Sequence, residues 1–164
     1  MKRHQLERRS ISESVYVKLN PSGDPFSIKT QLTDRDRELL ISGLMLYWAE
    51  GSRRNKHVIQ LANLDHRMLL LFIKFLRNIC GVKEEKLTLN IQLYKKFNKE
   101  ITKNHWSQLL SIPKNLVAVN IHSDLRSKFQ QQWSKYGIAR IEVRNVKLKH
   151  WLDSALEEYL IKWI

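Results

Sequence analysis

The sequence predicts an α+β domain in which helices pack on one face of an antiparallel sheet. Three observations carry this. Helical and strand periodicities are interleaved along the chain rather than segregated. The clearest strands alternate apolar and polar residues, so each has one dry face and one wet face. Finally, 43% of the 164 residues are hydrophobic, which suffices for one core.

Residues 1–32 read as a basic N-terminal arm and 33–164 as a single domain. The arm opens "MKRHQLERRS", which has no apolar stretch of the kind a secretory signal needs. "SVYVKL" suits a short strand and "NPSGDPF" a turn. A helix starts at Thr33, where Asp36 three residues on completes a capping-box pattern. Leu39, Leu40, Gly43, Leu46, Tyr47 and Glu50 recur at helical spacing. The run from Ile41 to Trp48 is almost wholly apolar and predicts burial on more than one side. Tyr47 and Trp48 are assigned to helix packing, and Gly51 to the left-handed position that ends helices.

"HVIQLANLD" follows as a strand, then "DHRMLLLFIKFLRNICG" as a helix capped by Asn63 or Asp65 and stopped by Gly81. "KLTLNIQLY" alternates strictly: Leu87, Leu89, Ile91 and Leu93 face the core, and Lys86, Thr88, Asn90, Gln92 and Tyr94 face water. A shorter helix ends at Pro113, and "NLVAVNIH" is a further strand. "SDLRSKFQQQWSKYG" reads as a basic loop with a helical turn. "IARIEVRNV" alternates again, with Arg140, Glu142 and Arg144 on one face. A last helix from about Lys147 carries Leu148, Leu152, Leu156 and Leu160 on one stripe. Trp106, Trp133 and Trp151 are assigned to the core.

Lysine and arginine outnumber acids 29 to 16, a net charge of +13. That excess points to a polyanionic partner. The longest apolar stretch, Met68–Ile79, is interrupted by Lys74 and Arg77, so no membrane span is expected. A single cysteine, Cys80, excludes an internal disulfide and a cysteine-based zinc cluster. An intracellular setting is expected. The wet sheet face suits duplex DNA: Lys and Arg match phosphates and guanine edges, and Asn and Gln match adenine edges. An RNA-stacking platform has less support, because Tyr94 is the one clear aromatic on that face.

"GLMLYWAEGS", closing an apolar helix, resembles the signature helix of the LAGLIDADG homing endonuclease family. Ala49, Glu50, Gly51 and Ser52 match its ending. "VIQLANLDHRMLLLFIKFLRNICGV" is similar to the family's strand and following helix, and "IEVRNVKLKHWLDSAL" to its last strand and helix start. The chain departs from the family in having Gly43 further from the acid and the bulky Tyr47 and Trp48 before it.

The resemblance implies a saddle-like sheet and, for a chain with one motif, a homodimer that cleaves both strands of a DNA duplex. Each subunit would supply Glu50 as the catalytic ligand of Mg²⁺ or another divalent cation. A carboxylate at a helix C-terminus beside a glycine turn is a hard oxygen donor of the type such ions prefer. Asn63 would position water or phosphate, with Arg67 one helical turn further on. Lys147, or else Lys149, would assist the scissile phosphate. Arg53 and Arg54 would hold phosphates beside the metal. The sheet contacts fall to Lys86, Thr88, Asn90, Gln92, Tyr94, Arg140 and Arg144. Two other readings fit the same scaffold: a non-catalytic, sequence-specific DNA-binding regulator, or a splicing cofactor for intron RNA.

Overall fold

Thr33 opens the first helix, α1 (Asp34–Glu50), as its sequence context predicts. Its Oγ1 accepts from the Asp36 backbone N–H at 3.2 Å, and the Asp36 carboxylate accepts from the Thr33 N–H at 2.9 Å. Lys29 donates to the same carboxylate at 2.7 Å. Lys29 first, and then Thr33, pull the Asp36 pKa down to about 2. The computed structural model describes residues 26–52, 54–94, 97–122 and 135–164. The segments "KRHQLERR" and "SVYVKL", Arg53, Trp133 and most of the basic loop after His122 lie outside the described residues.

The described part of the N-terminal segment lies against the domain. The N–H groups of Ser27 and Lys29 donate to the carbonyls of Cys80 and Ile79, and Phe26, Ile28 and Leu32 pack on the core. Those carbonyls follow α2 (His66–Asn78), which Asp65 caps by accepting from the Arg67 N–H. Gly81 ends the helical path at φ +59°, and a Cβ there would press on the Ser27 backbone. Both the left-handed conformation and the close approach demand glycine.

Four strands follow the interleaving expected: β1 (Val58–Asn63), β2 (Thr88–Tyr94), β3 (Val117–His122) and β4 (Ile138–Arg144). Their order in the sheet is β1-β4-β2-β3. β4 pairs antiparallel with both β1 and β2, but β2 and β3 run parallel. The sheet is therefore mixed, not antiparallel. The reason is α3 (Lys99–Leu110), which carries the chain back between β2 and β3 as a parallel pair requires. The strand beginning at Thr88 also leaves Lys86 in a 3₁₀ turn, Glu84–Lys86, rather than on the sheet.

One sheet face is dry. Ile59, Leu61, Leu89, Ile91, Val119 and Ile141 on the strands join Phe72 and Leu76 of α2, Trp106 and Leu110 of α3, and Leu148, Leu152 and Leu156 of α4 (Val146–Leu160) in one core. Asn145 caps α4, its Oδ1 accepting from the Leu148 N–H at 2.9 Å. Cys80 is buried in the same core. Trp151 is half-buried against it.

α1 packs on α2, α4 and β1, and only Gly43, Leu44 and Tyr47 of α1 are buried. Trp48 remains 43% exposed and Ile41 38%. The expectation of burial on more than one side is thus corrected: no described element covers the flank of Ile41 and Trp48. Gly43 meets Phe75 of α2, and an added Cβ would come within 2.6 Å of the ring's Cδ1 and closer to Cγ. Gly43→Ala is expected to lower stability by about 1–3 kcal/mol, the range for overpacking a filled core. Alanine's better helix propensity, worth roughly 1 kcal/mol, offsets part of this. Chemical denaturation measures the change, and an unchanged midpoint would mean that Phe75 yields freely.

Candidate nucleic-acid interface

The second sheet face is built by the same alternation that buries the first. Strand register arranges its residues in rows. Arg144 stands beside Val58. Glu142 stands between Gln60 and Thr88, and Arg140 between Ala62 and Asn90. Gln92 lies between Ile138 and Asn120, and Tyr94 beside His122. Thr88, Asn90, Gln92, Tyr94, Arg140 and Arg144 therefore share one surface, as the sequence pattern predicts. Gln60 and Asn120 join them; both follow from the alternation of their own strands. Lys86 lies next to this surface, in the turn that leads into β2.

The arginines on or near this face are held by acids. Arg140 Nε lies 2.7 Å from Glu142 Oε1, and Arg144 Nη2 lies 3.6 Å from Glu142 Oε2. The buried Arg140 Nε–H is not aligned on that oxygen, so the contact is Coulombic rather than a directed hydrogen bond. Arg67 forks onto Asp65, with Nε and Nη2 donating at 3.0 and 2.7 Å. Arg67 pulls the Asp65 pKa down to about 2, so the pair persists until strongly acid pH. Arg54 is exposed.

Glu50 is the exposed last residue of α1. Gly51 after it is extended, at φ −75° and ψ 145°, not left-handed as the sequence suggested. Glycine is required there for a different reason. A Cβ would meet the Tyr47 carbonyl oxygen and lie 2.5 Å from the Tyr47 ring. That close approach lets Gly51 bridge to Leu61, and lets the Ser52 N–H donate to the Gln60 carbonyl at 3.1 Å. The end of α1 is thereby tied along the outer edge of β1.

Asn63 closes β1 two residues beyond that bridge, and its Oδ1 accepts from the Asp65 N–H at 2.8 Å. Asp65, not Asn63, is the helix cap. Lys147 is exposed on the first turn of α4, three residues beyond Arg144. Register pairs Asn63 with Ala139 and Val58 with Arg144. Asn63 thus lies at one end of the β1–β4 pair and Arg144, from which the chain runs on to Lys147, at the other, about 17 Å apart along the strands. Glu50 is anchored toward the Asn63 end.

Lys149 is 2% exposed and buried between α1 and α4. Its Nζ donates to both Asp153 oxygens, at 2.7 and 2.8 Å, and lies 5.2 Å from the centre of the Tyr47 ring. The Tyr47 hydroxyl donates to the same carboxylate at 3.1 Å. This cluster secures the last turn of α1. His105 stacks on Tyr136 with ring centres 3.7 Å apart, and burial lowers its pKa.

Among the described residues, no three His, Cys, Asp or Glu side chains gather where a metal ion could be held. Mg²⁺ sites need only one or two carboxylates when substrate phosphates complete the shell. Glu50 alone is therefore compatible with such a site if a second carboxylate comes from another subunit.

No described helix is long and apolar enough to cross a membrane. Comparisons with protein-family models, with curated proteins and with solved structures return no match for this chain.

Proposed function

We propose that this protein is a homodimeric, Mg²⁺-dependent endonuclease that binds a long DNA duplex on its sheet face and cleaves both strands. One observation carries the reading: an exposed acid ends α1, and the two residues after it are tied by their backbone to the edge of a sheet whose open face bears amides and arginines. Duplex binding follows from that face and the net charge of +13. The exposed flank of α1, with Ile41 and Trp48, suits a second copy packed about a two-fold axis. Such packing would bring the two Glu50 carboxylates together.

In this reading Glu50 holds the metal, which would polarise the phosphate and lower the pKa of bound water. Asn63 lies at the same end of β1 and would orient water or phosphate there. Arg53, Arg54 and Arg67 would neutralise flanking phosphates. Lys147 would meet the backbone further along the duplex, at the other end of the β1–β4 pair. The test is nicking of supercoiled plasmid pools that carry randomised inserts. Linear product in Mg²⁺ and none in EDTA is the expected result. A chain that stays monomeric on DNA and cuts nothing overturns the proposal.

A second reading is a DNA-binding regulator without catalysis. The separation of Asn63 from Lys147, and the use of the Asn63 oxygen in its own turn, favour it. It predicts tight, Mg²⁺-independent duplex binding and no cut. Binding to intron RNA rather than to duplex DNA would instead support a splicing role.

A further inference from the structure

We propose that Glu142 is a specificity-setting residue: it turns Arg140 and Arg144 from phosphate binders into readers of guanine edges. The proposal rests on the duplex-binding reading above and deepens it.

Glu142 is out of place on a surface meant for a polyanion. It sits on the inner strand β4, on the wet face, yet it is only 3% exposed. Arg140 reaches it from one side and Arg144 from the other, each two residues away along the strand. Their side chains are 34% and 60% exposed, so the arginines screen the acid while keeping part of themselves in water. A buried acid is unfavourable unless paired, and removing it would leave a more basic face. A face selected for charge alone would not carry it.

What the acid contributes is orientation. An unrestrained arginine explores many rotamers and meets the phosphates first, because they carry the charge. An arginine drawn by charge onto a buried carboxylate keeps fewer rotamers and a weaker field. Nitrogens not engaged by the acid remain available. Their planar fork matches O6 and N7 of guanine. Restricting the side chain beforehand lowers the entropy lost on docking. The register places Asn90 next to Arg140, so an adenine-matching amide lies beside a guanine-matching fork.

The experiment compares wild type, Glu142→Gln and Arg140→Lys on two duplexes. One is selected from a random pool by the wild type, and the other is an unselected sequence. With Glu142→Gln, affinity for unselected duplex should rise. Its dependence on salt should steepen by roughly one to two released counterions, as one or two arginines turn to phosphates. The ratio of selected to unselected affinity should fall by about 10-fold, within the range one bidentate base contact supplies. Arg140→Lys keeps the charge but loses the fork. It should lower that ratio with the salt slope unchanged. It also serves as the decisive variant if circular dichroism shows Glu142→Gln unfolded. If the wild type binds no duplex, the DNA reading itself fails. If it binds and selects, but Glu142→Gln leaves slope and ratio unchanged, or Arg140→Lys leaves the ratio unchanged, the role of Glu142 alone is overturned.

Discussion

Glu50→Gln is expected to lower Mg²⁺-dependent nicking at least about 100-fold, the scale on which losing one well-placed electrostatic group slows a reaction. Glutamine keeps the size and one oxygen but not the charge that a hard cation requires. Glu50 is exposed, so the fold should be unaffected; surface changes of this kind stay within about 0.5 kcal/mol. Duplex affinity should hold or rise, because one negative charge leaves a protein of net charge +13. Parallel melting, gel-shift and plasmid-nicking measurements separate these quantities. Nicking at the wild-type rate would remove Glu50 from the chemistry, whatever the protein still binds.

The second large effect concerns stability. Asp153→Ala should destabilise the fold by about 3 kcal/mol, the lower end for breaking a buried ion pair. The lower end applies because the Asp153 side chain is 34% exposed while Lys149 is 2% exposed. The melting temperature should drop by roughly 10 °C. Lys149→Met removes the ammonium itself and fills the same space with an apolar chain, so it should be far milder. Equal losses in the two variants would show that the charge is not what matters. Because Tyr47 donates to Asp153, the weakened variant should also loosen the turn of α1 that carries Glu50.

What could be read in advance was local. The Thr33–Asp36 box depends on residues three apart, and both hydrogen bonds form. The alternation of β2 names its dry side, and Leu89, Ile91 and Leu93 are all fully buried. Strand direction is not encoded that way: a strand keeps its alternation whichever way its neighbour runs. Only the return path through α3 makes β2 and β3 parallel. Gly51 was legible as a necessary glycine but not in its reason, because a left-handed cap and a close approach to Tyr47 demand the same residue. Glu142 was visible on the wet face beside Arg140 and Arg144. Its burial was not, since alternation assigns a face without saying which neighbours close over it. Lys149 was the alternative to Lys147 at the scissile phosphate; its partners on α4 and α1, Asp153 and Tyr47, become neighbours only through packing.

The strand order has a consequence for the time course of folding. β4 is the last of the described strands to be synthesised, yet it sits between β1 and β2. Until it arrives, β1 has no partner among the described strands, and the β2–β3 pair stands apart from it. Joining them closes a loop from Val58 to Arg144, and such long-range closures slow folding. During translation the nascent chain therefore presents two unfinished sheet edges, β1 and β2, and these are open to pairing with other chains. The sheet is completed by insertion into a waiting gap rather than by growth from one side.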